Sequence, residues 1–445
     1  MKFIKLTFLF VFLAATHLPA QNFTVLHTFT NCPDGAHPFG GIIVDNGVLY
    51  GTTDDGGTWP GSGIAYRLST NGADYSILYS FPCWTRGVEG GTNFFGQPGT
   101  GLVSSGSTLY GTTSDDVHGF GTVFEINTNG MDFTALDILG AASPSGSMVM
   151  HGTNLFGILG AQLFEVNTDG TQFNVLTNLP WFSIPESSLL LSNNILYGTT
   201  IVGVGDCRYG NVFKVNIDGT GLTIIKGFTN LDEGSSLQDQ QLVLSGATLY
   251  GVATWGGLYN YGTVFKVNTD GTGFAVLRHF KNSPDAANPM AGLTLSGSTL
   301  YGVSWHGGAF GDGTVFRINT DGTGFDLLKS FSATNSDGAT PSGIVVDGGI
   351  LYGTTSGGGS AGAGVVFSLA TPVPELRAAQ TGGNLVVQWV DDGLSHWLET
   401  TTNPGGGNWT AATGLNWTNC ATGTTYFGLT ITNAASQGSA FFRLR

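Results

Sequence analysis

Charge is scarce in this chain. Lys and Arg number 15 and Asp and Glu 30 among 445 residues, so 10% of positions are charged; an average chain carries about a quarter. The balance is acidic, at −15. An acidic chain repels nucleic acid and anionic lipid at long range, which argues against either as a partner. The excess is spread thinly with no acidic tail, so it serves solubility. Cysteine is rare as well: Cys32, Cys83, Cys207 and Cys420 lack metal-ligand spacing. The scattered histidines lack it too. No Gly-x-Ser-x-Gly elbow lies in strand–helix context, and the Gly-rich stretches lack the helix that a phosphate loop needs. Long apolar runs are missing beyond Leu6–Ala15, which is too short to span a bilayer.

That short run sits behind Met1-Lys2-Phe3-Ile4-Lys5 and ahead of Leu18-Pro19-Ala20. Residues 1–20 therefore read as a secretory signal cut before Gln21. Its loss removes Lys2 and Lys5 and no acid, which takes the net charge from −15 to −17. Export places the mature chain outside the cell, secreted or surface-associated, with no integral membrane segment. It also permits disulfides. Cys32 and Cys83 follow the same repeat element, at Phe29 and Phe81, so Cys32–Cys83 is the candidate bridge, and four free or buried thiols are the plainer reading.

What the chain has in quantity is glycine, 71 residues, alongside 41% hydrophobic and 12% aromatic content. Such a composition can bury a core, so disorder is excluded. The glycine is organised. Leu-Tyr-Gly or Leu-Phe-Gly occurs at Leu49, Leu109, Leu155, Leu196, Leu249, Leu300 and Leu351. Seven copies with a period of about fifty residues mark a closed ring of small β-sheets. The clearest unit runs from Gly292 to Phe331. It reads as a short apolar strand, a Ser-Gly-Ser hairpin, a Leu-Tyr-Gly strand, an aromatic Gly-rich loop, a Val-Phe strand, an Asn-Thr-Asp-Gly turn and a half-exposed fourth strand. The seventh unit stops at Leu369, after its third strand. Phe23–Phe29 matches the fourth-strand pattern and stands alone ahead of the first unit. A mature N-terminus that completes the last sheet leaves no open edge, so the sequence predicts an all-β, seven-bladed propeller closed by its N-terminal strand.

The domain reading follows: signal 1–20, propeller 21–370, a Pro-containing linker 371–376, and a module at 377–445. Asn384–Val390, Trp397–Thr400, Trp409, Trp417 and Ala440–Arg445 read as strands of a small β-sandwich.

Leu-Tyr-Gly-Thr-Thr, then Gly-Gly, Gly-Thr-Val-Phe-Lys-Val-Asn-Thr-Asp-Gly and Phe-x-Val-Leu-x-x-Phe resembles the GloVer-type tandem repeat of secreted bacterial proteins. The motif is clearest at Leu249–Phe280 and Leu300–Phe331, and the resemblance covers about 23–369. It implies an extracellular or surface protein, and no activity, cofactor or catalytic residue. The third unit departs most, with Leu155-Phe156-Gly157 and almost no loop after it.

The tight hairpins fall on one face of such a ring, and the longer loops between strands two and three on the other. Binding concentrates on variable loops over a rigid scaffold. That face holds Trp59, Phe120, Trp255, Tyr259, Tyr261, Trp305, His306 and Phe310. Exposed aromatics suit sugar faces and protein anchors, although capping of blade ends uses the same residues. Trp255 and Trp305 read as equivalent positions of adjacent blades. Asp54, Asp55, Asp115 and Asp116 share the face. They supply the hard oxygens that Ca²⁺ takes, or a glycosidase pair; solvated loop acids are the plainer reading. No other cofactor is implied. The expectation is a secreted, non-catalytic binding or surface-interaction protein for polysaccharide or a cell-surface protein. The alternatives are an extracellular carbohydrate-active enzyme, hydrolase or lyase, and a structural envelope protein without a discrete ligand.

Overall fold

A computed structural model describes residues 22–371 apart from 59–60, 83–95, 115–120, 140–142, 180–186, 204–208 and 238–240. Beyond Thr371 it describes the backbone of strands between Arg377 and Leu444. Six four-stranded antiparallel sheets follow one another within residues 42–80, 103–139, 144–178, 190–227, 243–279 and 294–330, each in simple chain order. The seventh combines Ala339–Asp347, Ile350–Gly357 and Val365–Ala370 with Phe23–Thr28 as its outer strand. Phe23 lies opposite Leu369 and Val25 opposite Phe367. The ring therefore has seven blades, and its two chain ends are hydrogen-bonded partners.

The Leu-Tyr-Gly-Thr-Thr motif is the second strand of a blade, and each position has its own reason. The strand has neighbours on both sides and buries both faces, as at Val48–Thr53 and Ile195–Thr200. Its leucine fills the joint with the adjacent blade: Leu49, Leu109, Leu155, Leu196, Leu249, Leu300 and Leu351 are all fully buried. The tyrosine reaches the turn of the next blade, where Tyr50 is hydrogen-bonded to Thr128, Tyr110 to Thr168, Tyr250 to Thr320 and Tyr352 to Thr70. The glycine faces the aromatic ring of strand three. A Cβ there would sit 2.4 Å from Phe124 at Gly111 and 2.7 Å from Phe265 at Gly251, so only a missing side chain admits the ring. The first threonine ties to a neighbouring segment: Thr52 donates to the carbonyl of Thr100 at 3.1 Å, and Thr199 to that of Leu237 at 2.8 Å. The second closes the outgoing loop, since Thr53 donates to the Asp55 carbonyl and accepts from the Ile64 N–H.

The Asn/Asp-Gly turns between strands three and four close by a side-chain cap. The carboxylates of Asp169, Asp218, Asp270 and Asp321 accept the backbone N–H and the hydroxyl of the threonine two residues on. Those bonds hold all four carboxyls below the ordinary aspartate value.

Apolar side chains gather into seven clusters, each spanning one joint between neighbouring blades, including the joint between the seventh and the first. Four joints add a shared device. A basic residue of the outer strand lies against an aromatic ring of the next blade and pairs with an acid of the connecting segment. Lys226 sits 4.2 Å from the Phe274 ring and 2.8 Å from Glu233. Arg278 sits 3.9 Å from the Phe325 ring and 2.6 Å from Asp285. Lys329 lies over Phe23 and pairs with Asp337. At the closing joint His27 stacks on Tyr75 at 3.7 Å and meets Asp34 at 3.2 Å. The first-to-second joint substitutes a plain stack of Tyr79 on Phe133.

The strands beyond Arg377 belong to a separate compact unit. They make a four-stranded sheet, in the order Arg377–Thr381, Asn384–Val390, Thr424–Ile431 and Trp417–Thr422, and a three-stranded one of Thr410–Ala411, Leu398–Thr401 and Phe441–Leu444.

Candidate ligand-binding face and axial cavity

The loop leaving the second strand of the fifth blade carries an apolar patch. Trp255 is 46% exposed, Leu258 61% and Tyr259 47%. Leu231, from the segment leading into this blade, is exposed beside them, and its carbonyl accepts the Gly257 N–H at 2.7 Å. The loop is held firmly. Trp255 exchanges two backbone hydrogen bonds with Ser235, the Asn260 side chain accepts from the Gly256 N–H, and the Leu258 N–H donates to His279 Nδ1. Burial lowers the His279 pKa, and the nearby Asp232 opposes the shift without cancelling it. A neutral imidazole is the form that accepts at Nδ1. The Lys281 ammonium lies 5.1 Å from the Tyr259 ring. Phe310 is exposed on the matching loop of the sixth blade.

Trp255 and Trp305 are not equivalent, contrary to the expectation from sequence. Trp255 bridges to Ser235 as His306 pairs with Ala287 and Asp55 with Ala36. Trp305 is one position earlier, where the other blades place Asp54 and Thr254; the N–H of each of these three donates to the preceding connecting segment. Successive residues of an extended chain point to opposite sides, so this one-residue offset separates the two tryptophans. Trp255 lies on the outer rim. Trp305 lines the axis and meets Phe39 edge-to-face at 5.5 Å.

The remaining candidates disperse. Tyr261 is partly buried against the joint of the fifth and sixth blades, and its carbonyl accepts from Asn288. His306 is exposed on a two-residue strand. Asp55 is engaged by His37 Nδ1 at 2.9 Å and by the Gln97 amide at 3.3 Å. Asp54 belongs to the inner position already described. Trp59, Phe120, Asp115, Asp116 and Cys83 lie outside the described residues, and with them the Cys32–Cys83 pairing and any four-carboxylate Ca²⁺ site. Among the described residues no group of three or more His, Cys, Asp or Glu is placed to hold a metal ion.

The axial cavity has no counterpart in the sequence reading. The first strands of the blades and the segments leading into them enclose about 720 Å³. Among the described residues, none that lines it is Asp, Glu, Lys, Arg or His. The strands approach one another through glycines: a Cβ on Gly40 would lie 2.5 Å from the Thr100 carbonyl, and one on Gly343 2.7 Å from Gly41. A glycine just ahead of the apolar first strand in five blades, at Gly41, Gly101, Gly146, Gly292 and Gly343, was the available signal. A period count reads it only as a turn.

No curated protein matches the chain. Among solved structures, an oligogalacturonate lyase from Vibrio parahaemolyticus is similar at 13% identity and a TM-score of 0.49, over 79% of this chain and 97% of that one. BamB from Moraxella catarrhalis gives 12%, 0.41, 78% and 97% for the same four measures. A nidogen/laminin complex gives 14%, 0.37, 56% and 84%. None of these likenesses bears on what this chain binds or does. A repeat family does match, over the blades that carry the Asp-Gly turns: across residues 160–367, from the third blade into the seventh, the chain carries the Gloeobacter/Verrucomicrobia repeat.

Proposed function

We propose that this is a secreted, non-catalytic recognition protein that presents the loop face of its propeller to polysaccharide or a cell-surface partner. The observation that carries the reading is the rim patch of Trp255, Leu258, Tyr259 and Leu231, exposed on a loop fixed by its own hydrogen bonds. Water gains nothing from ordered apolar rings, and a rigid platform loses little entropy when a partner covers it. Tyr259 with Lys281 beside it combines a flat face with a hydrogen-bond donor, the pairing that a pyranose ring takes. The enzyme alternative needs convergent carboxylates near the axis, and the described residues of the axial wall include none. The C-terminal sheets read as the two layers of a small β-sandwich appended to this platform, and residues 1–20 as the export signal.

Glycan-array and cell-wall pull-down binding of the full chain, compared with Trp255→Ala and Tyr259→Ala, tests the reading. Each substitution is expected to weaken binding by about tenfold or more, as for a central aromatic anchor. Binding unchanged in both variants, or turnover of a glycan, would refute it.

A further inference from the structure

We infer that the axial cavity is a second, independent site, for an uncharged and largely apolar small molecule. Its volume of about 720 Å³ falls in the range of small-molecule sites, roughly 300–1,000 Å³. Its chemistry is narrow. A charged ligand would lose its hydration with no counter-charge among the described wall residues, and desolvation of an unpaired charge is costly.

Three of the wall's hydroxyls are engaged within the protein. Thr100 is bonded to Thr112, Ser188 accepts from the Ser147 N–H, and Ser342 donates to the Pro38 carbonyl. A ligand meets Ile, Leu, Val and Met surface interrupted by main chain and by the side chains of Ser104, Ser147 and Gln241. Three of the chain's five methionines, Met148, Met150 and Met290, line this one cavity. Thioether side chains repack around ligands of irregular shape, and their concentration here suits a site that adapts to its occupant.

Trp305 supplies an independent observation. Three residues beyond the motif glycine the other blades carry Asp54, Ser114, Gly160, Ile201, Thr254 and Ser356. The ring thus closes six times without an aromatic at this position, and the fold does not demand one. Trp305 instead lines the cavity, packs on Phe39 across the seventh blade, and keeps its Nε1–H buried without a hydrogen-bond partner. The Nε1–H is sealed from the open space, so the indole meets a ligand through its carbon surface.

A matched pair of fluorescent probes tests the site on the full chain: uncharged N-phenyl-1-naphthylamine, and 8-anilino-1-naphthalenesulfonate, which adds a sulfonate to the same rings. The neutral probe is expected to bind saturably, one per chain, about tenfold tighter than the sulfonate. Trp305→Ala is expected to weaken it about tenfold, and Trp255→Ala to leave it unchanged. Met150→Gln, which keeps volume while adding an amide, reads the same wall should the tryptophan variant fail to fold, and is expected to weaken the neutral probe likewise. Absence of saturable binding, equal affinity for the two probes, or sensitivity to Trp255 in place of Trp305 and Met150 would overturn the assignment.

Discussion

Tyr66 shows how closely each residue of the repeat is specified. Its counterparts on strand three are Phe124, Phe164, Phe213, Phe265, Phe316 and Phe367, all fully buried against a motif glycine. Tyr66 is equally buried, and its hydroxyl has no hydrogen-bond partner. Burial alone drives its phenol pKa far upward, as expected of a polar group without compensation. Tyr66→Phe removes the orphaned oxygen and restores the ring found in the other blades. It is expected to stabilise the protein by about 1 kcal/mol, measured as a raised denaturation midpoint with an unchanged slope. The aromatic pattern of strand three was legible in the sequence. That one hydroxyl would be stranded was not, because partners come from other blades, and most of the motif tyrosines on strand two do find theirs there.

Joints between blades are the elements on which the ring depends, and the closing joint is the one that titrates most clearly. Asp34 is partly buried, which by itself would raise its pKa. Hydrogen bonds with His27 and Tyr75, the His27 charge and the Thr30 N–H outweigh that and hold it below 3.8. A carboxyl whose pKa is depressed by folding stabilises the native state above its unfolded value and loses that contribution as pH falls through the folded one. The four turn aspartates carry the same sign. Thermal melts of wild type and Asp34→Asn are therefore expected to differ most near neutral pH and to converge as pH falls below the ordinary aspartate range. A constant gap across that range would show that the contribution is steric. In sequence the device is visible only as a basic residue with an acid seven or eight positions later. The aromatic that completes it lies in the next unit, about fifty residues on, or at Phe23 for Lys329.

The closed ring makes the first strand indispensable to the last blade. Without Phe23–Thr28 the backbone edge at Val365–Ala370 is unpaired, and the packing of Phe23 on Phe331 and Phe367 is lost. A chain starting at Thr30 is expected to melt at a markedly lower temperature and to associate through the bared edge, read by calorimetry and light scattering; an unchanged melting temperature would mean that the seam is ornamental. Blade number, strand order and closure were all written in the sequence. Repeats are local, each occurrence reports on the same hydrogen-bonding need, and seven copies with one displaced strand leave a single arrangement that gives every blade four strands. The functional surfaces were read less well. Trp255 and Trp305 look alike on paper, and a one-residue offset in how each strand end meets its neighbour sends one to the rim and the other to the axis. The axial cavity belongs to no unit: seven segments, hundreds of residues apart, each contribute a small uncharged patch, and only their convergence in space encloses a volume.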